Sequence, residues 1–271
     1  PVREWRDVSA ATFRDEILPS HAPAVLRGAV AHWPIAKFGR ESPHALSTYL
    51  RGFDSGSPVD TMYGDPAIRG RFFYNDDLTG LNFENRKQRL ADSLEQLIAQ
   101  IDAPVPPALY LGALPMDIAL PGLARDNSLP LLEPHIMPRL WLSNRVTVQT
   151  HYDLSMNIAC VVAGRRRFTL FPPGQLVNLY VGPLEFTLAG QPISMVRLDA
   201  PDHGRFPRRA RARVGAGAHH HPLSWRKLRL GIQLGGRRRA GREAAAAARA
   251  RLVQHRDERV RHQRVHGLVL R

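Results

Sequence analysis

The chain of 271 residues carries 38 Lys or Arg against 24 Asp or Glu, and its formal charge of +14, taken whole, points to a polyanionic partner. The distribution removes that reading, because residues 1–207 hold 20 basic and 21 acidic side chains while 208–271 hold 17 Arg and one Lys against Glu243, Asp257 and Glu258. A 44% hydrophobic content excludes a wholly disordered chain, the single Cys160 excludes an intramolecular disulfide, and no apolar run approaches the about 18 residues of a membrane helix.

About 200 residues before the basic tail suit one domain. No secretory leader is visible and the chain opens on Pro1, so the sequence reads as trimmed or partial. The expected setting is cytoplasmic, without a membrane. Ser9 can cap a helix running through Leu18, and Ala24-Val25-Leu26 is a short apolar run ending at Gly28. Pro34 is expected to break the chain. His44 to Phe53 and Asn85 to Ile101 read as amphipathic helices, the second with Leu90, Leu94, Leu97 and Ile101 on one face. Between them Asp60 to Gly64 and Arg71 to Tyr74 read as strands, and Pro104 to Pro107 marks a connector. Ala108 to Leu111 is a predicted strand, and Trp141 to Gly164 predicts two strands around a loop. Phe168 to Phe171 predicts another, ended by Pro172-Pro173. Short strands separated by Pro and Gly turns, after a helical start, indicate a mainly β sandwich or small barrel and not a doubly wound sheet.

Thr147-Val148-Gln149-Thr150-His151-Tyr152-Asp153 is the most informative stretch. On a strand, residues two apart face the same way, so His151 and Asp153 can aim an imidazole nitrogen and a carboxylate oxygen at one point. Two such N/O donors are two corners of a 2-His-1-carboxylate facial triad, a set suited to Fe(II). A surface His-Asp pair is the plain alternative. Asn157 and then Gly164-Arg165-Arg166-Arg167-Phe168-Thr169-Leu170-Phe171-Pro172-Pro173 follow at a recognisable interval. From His151 to Pro173 the chain resembles, without a gap, the cupin-like branch of the JmjC hydroxylases, of asparaginyl-hydroxylase type. In that family a His-Tyr-Asp pair precedes Asn and a Gly-x-Lys-Arg…Leu-Phe-Pro-Pro strand. Leu179-Tyr180 and Asp202-His203-Gly204-Arg205-Phe206-Pro207 continue the likeness more loosely.

The resemblance implies a double-stranded β-helix (cupin or jelly roll) with N-terminal helices, divided into an N-terminal portion 1–107, a core 108–207 and the tail 208–271. It implies iron on His151 and Asp153, with 2-oxoglutarate beside Asn157, Arg166, Tyr110 and Thr147. Arg166 departs from the family's usual Lys, exchanging a point charge for a planar fork that can pair bidentately. The Thr147 position is offset by one. The implied reaction is hydroxylation of a protein or peptide side chain, in preference to lysine demethylation, by a possible homodimer. Cys160 and Trp141 read as core residues, and His135 and His203 as loop histidines.

The family's second histidine follows a Pro-Gly-Asp…Ile-Pro…Trp-Trp-His pattern, and nothing after Pro207 matches it. The C-terminal strands are therefore expected to be missing or disordered, and 208–271 to be non-native. His219, His220 and His221 are chemically able to bind a metal, but no register places one opposite His151. Read one nucleotide later, their codons give three residues each Ile or Thr, and that of Pro222 can then give Pro. Just before them Gly215 to Ala218 can give Ala-Pro-Gly-Arg in that frame, and Gly231-Ile232-Gln233 can give Ala-Phe-Asn. A shifted reading frame near codon 207 is the leading reading of the tail. Its rivals are a divergent tail on a non-catalytic cupin-like binding module, and a nucleic-acid-binding arm.

Overall fold

The computed structural model describes residues 2–133, 135–153, 156–208, 229–234 and 267–270. After β1 (Arg3–Arg6), α1 (Ala10–Thr12) continues through Phe13–Ile17 and Leu18–Ser20. Ser9 caps it as expected, its hydroxyl oxygen accepting from Thr12 N at 3.0 Å. β2 (Ala24–Arg27) runs parallel to β1. Pro34 does not break the chain but starts α2 (Pro34–Glu41), because at the first helical position its missing N–H has no partner to lose. The Ser42 hydroxyl accepts from Ala45 N to begin α3 (Pro43–Arg51).

β3 (Pro58–Gly64) pairs antiparallel with β4 (Glu84–Arg89), which leads directly into α4 (Leu90–Ala99). The helix expected from Asn85 thus begins at Leu90. Residues 85–89 are Asn, Arg, Lys, Gln and Arg, offer no apolar helical face, and satisfy their backbone on β3 at the sheet edge. β5 (Ala108–Pro115) is followed by α5 (Met116–Ala119), α6 (Leu123–Asp126), β6 (Pro138–Ser143) and β7 (Asn157–Ala163). Two further strands, β8 (Arg229–Leu234) and β9 (Gly267–Leu270), complete a sheet of order β1-β2-β9-β7-β8-β6-β5-β3-β4. Pairing is antiparallel from β7 through β8 to β4, and parallel where β9 meets β2 and β7.

Strand alternation sorts this sheet into two faces. Leu109 and Leu111 of β5, Leu140 and Leu142 of β6, and Ile158, Cys160 and Val162 of β7 join the main core with Leu46, Leu50, Leu90, Leu94 and Leu97 from the helices. The close approach of α2 to β7 requires Gly39, where a Cβ would stand 2.5 Å from Val162 O. Tyr110, Ala108 and Met62 belong to the other face, with Phe72 and Val146. By the same alternation that face receives Trp141, Ser143 and Asn157.

Three strand expectations need correction. Arg71 to Tyr74 forms only single bridges, Arg71 with Thr147 and Tyr74 with Leu81, because its backbone is turned by Gly70 at φ +76° and tied to Asn82. Phe168 to Phe171 is irregular, since no strand among the described residues lies beside it to form a ladder. The tail, expected to supply no strand, supplies β8 between β6 and β7. Leu230, Ile232 and Leu234 alternate in sequence at strand period, a local pattern masked by the surrounding Arg and Ala. His219, His220 and His221 lie outside the described residues. No described helix is long and apolar enough to cross a membrane.

Candidate metal centre

His151 lies in the loop between β6 and β7, its backbone bridged to Ile193. Its Nδ1 stands 2.8 Å from the carbonyl oxygen of Gln149, which can only accept, so Nδ1 carries a proton and Nε2 is the ring atom left to face Asp153. That Nε2 is 3.9 Å from Asp153 Oδ1. The separation exceeds a hydrogen bond and is less than two metal–ligand bonds of about 2.1 Å laid end to end, so one ion can touch both atoms. The second carboxylate oxygen, Oδ2, accepts from Asn157 Nδ2 at 2.7 Å, where Asn157 opens β7. Each donor therefore turns one atom toward the common point and is held by the other. Both side chains are about one-third exposed, at 34% and 36%, which leaves the point open to incoming molecules.

A second, half-buried group lies on the same sheet face. Burial pushes the Tyr110 hydroxyl up to about 12; nearby Arg166 and a side-chain hydrogen bond from Trp141 oppose the shift, and Asp153 adds to it. Tyr110 therefore senses both the Arg166 guanidinium and the Asp153 carboxylate. Burial lowers Arg166 below the ordinary guanidinium value, opposed by Tyr110, and the group stays cationic. Its Nε is sealed from solvent and has no hydrogen-bond partner. Ser143, the register partner of Tyr110 across β5 and β6, likewise has a sealed hydroxyl without a partner. A half-buried cation whose sealed Nε lacks a partner and a buried hydroxyl without one, beside a neutral phenol, form a setting complementary to a carboxylate. The residues present thus fit both an N/O-ligated ion and an oxo acid.

The structure brings His151, Asp153, Asn157, Tyr110 and Arg166 together. Thr147 is not joined to them: it is exposed, with its backbone N bonded to Gly70 O at 2.8 Å. Trp141, expected in the core, instead lies beside Tyr110 on the site face, one residue out of step with Leu140 and Leu142. Cys160 is buried in the core, and His135 and His203 are exposed in turns, as expected. Tyr180 packs edge-on against Phe206 with centroids 5.1 Å apart, so the two looser segments of the resemblance meet in space. Sequence reading misses Gln149 and Ser143. For Ser143 the available signal is a hydroxyl placed at the site-face parity of an apolar strand. Among the described residues no third His, Cys, Asp or Glu completes a group with the pair.

A family model described as a cupin-like domain matches residues 10–217. JmjC domain-containing protein D of Dictyostelium discoideum is 33% identical over 90 residues, covering 32% of this chain and 19% of that protein. tRNA wybutosine-synthesizing protein 4 of Aspergillus oryzae is 36% identical over 78 residues, covering 26% of this chain and 8% of that protein. The chain thus matches less than a fifth of either relative's length.

Proposed function

Because the chain belongs to the cupin-like domain family, we propose that it is built as an Fe(II)- and 2-oxoglutarate-dependent oxygenase acting on a side chain of a protein or peptide. The observation that carries this reading is the convergence of His151 Nε2 and Asp153 Oδ1, each fixed from behind. When bound, the ion and the oxo acid would supply, with dioxygen as the oxidant, decarboxylation to succinate and CO2 that takes up one oxygen atom, coupled to insertion of the other into a C–H bond.

The chain's own residues hold and orient. His151 and Asp153 would bind the ion through Nε2 and Oδ1, while Asn157 keeps Asp153 from turning. Arg166 would neutralise the far carboxylate of the oxo acid. Tyr110, kept neutral by its raised pKa, would donate its hydroxyl proton to that carboxylate, and Ser143 offers a second O–H. A double-stranded β-helix, a homodimer and a cytoplasmic setting belong to this proposal.

The third ligand is expected from the alternative reading frame near codon 207; sequencing the coding DNA across codons 195–240 tests this, with Pro-Gly…Ile-Pro…Trp-Trp-His as the expected peptide. The activity test is succinate formation from 2-oxoglutarate by the full chain with Fe(II). A chain that carries this third ligand should turn over, and His151→Ala in it should lose at least about 100-fold. The absence of a third ligand among the described residues favours a second reading, a non-catalytic binding module. Arg166-dependent 2-oxoglutarate binding with no succinate would select it. Steeply salt-dependent DNA binding that vanishes on deleting 208–271 would instead assign the tail to nucleic acid.

A further inference from the structure

Gln149 lies two residues before His151 and is 4% exposed, an uncommon place for an uncharged polar side chain in a loop. Its amide is fully engaged. Nε2 donates to Ser194 O at 2.8 Å and to Val196 O at 2.7 Å, and Oε1 accepts from Arg71 Nη1 at 3.4 Å. Arg71 is in turn paired with Asp199 and bridged in backbone to Thr147. Segment 193–199 closes the loop from the other side, with Ser194 N donating to Thr150 O at 2.8 Å and Ile193 bridged to His151 itself. Three chain segments thus meet on one buried amide. The backbone carbonyl of that same residue receives the His151 Nδ1 proton.

We infer that Gln149 is a positioning residue for His151: its anchored side chain fixes the carbonyl that selects the Nδ1–H tautomer and leaves Nε2 bare toward Asp153. The inference rests on the reading of His151 as a metal ligand for its consequence, but not for its geometry. A side chain bonded only to solvent would let residue 149 rotate about its own φ and ψ. The carbonyl would swing with it, and the ring would relax toward the tautomer mixture of a solvated histidine.

The test uses the full chain in two states. Long-range 15N–1H spectra of the metal-free protein, with the His151 signal assigned by its loss in His151→Asn, report the tautomer. Co(II) titration reports affinity at the pair. Wild type is expected to show His151 almost wholly as Nδ1–H. Gln149→Met, which keeps the side-chain volume and removes every hydrogen bond, is expected to shift it to a mixture and to weaken Co(II) about tenfold or more. A folded Gln149→Met protein with an unchanged tautomer overturns the inference. If that variant does not fold, Gln149→Glu keeps the acceptor for Arg71, lacks both donors, and is judged by the same tautomer shift. A wild-type chain that binds no Co(II) sinks the iron reading alone, since the tautomer comparison still decides the role of Gln149.

Discussion

The two faces of β6 differ by one residue of register and by everything else. Leu140 and Leu142 point into a core shared with the helices and are fully buried, while Trp141 and Ser143 stand on the face of Tyr110, where buried polar atoms lack partners. The first face is optimised for burial and the second is held below that optimum. Such unpaired buried groups raise the free energy of the ligand-free fold and become favourable only when something complementary arrives. Adjacent residues on one strand therefore make opposite predictions.

Leu142→Ala should destabilise the chain most, by about 2–5 kcal/mol, through lost transfer energy and the cavity left behind. Ser143→Ala, next door and also fully buried, should leave stability unchanged or slightly higher, because it deletes a hydroxyl that has no partner to lose. Chemical denaturation of the two variants compares the faces directly. Equal losses at both positions would end the distinction.

Arg166→Met carries the comparison to ligand binding. Calorimetry with 2-oxoglutarate should show a loss of about 2–5 kcal/mol in affinity, since a charge partner in a desolvated site is removed. Stability without ligand should not fall, because the desolvation cost of the guanidinium disappears with it.

How far this division is legible in the sequence depends on range. His151 and Asp153 lie within one loop and their two-residue spacing suggests convergence, whereas Asn157 at the strand start enters only through the family resemblance. Arg166 and Tyr110 can be placed together only through the family resemblance, being far apart along the chain. Gln149 and Ser143 are invisible because their roles come from pairing, with residues 194–196 and with Tyr110, that no local periodicity encodes. The strand at 229–234 is hidden by composition: an Arg-rich, Ala-rich tail reads as solvated until the alternation of Leu230, Ile232 and Leu234 is weighed by itself. Asn85 to Arg89 misleads for the opposite reason. The amphipathic helix that follows invites extension backward, into residues whose backbone has a better partner in β3.

Alkaline titration sets Tyr110 against Cys160, which burial also pushes up, from the core face. A folded value of about 12 against an ordinary 10 means that the neutral phenol is favoured in the fold. Its contribution is full below pH 10 and is lost as pH rises through 12, at about 1.4 kcal/mol for each pH unit crossed between the two values. Tyr110→Phe should flatten this limb of the stability profile over that interval. The Cys160 contribution should persist in the variant, and an unchanged profile would mean that Tyr110 is solvated.

The smallest effect is expected at Thr147. Its side chain is exposed, and what the residue gives the fold is a backbone bond to Gly70 O that any non-proline residue can make. Thr147→Val should therefore stay within about 0.5 kcal/mol of wild type in stability. If the hydroxyl reaches the oxo acid, 2-oxoglutarate affinity falls by the worth of one exposed hydrogen bond, about 0.5–1.5 kcal/mol, and not by the loss expected for Arg166→Met. A loss as large as that of Arg166→Met would move Thr147 into the polar face and extend that face past β6 into the loop that carries His151.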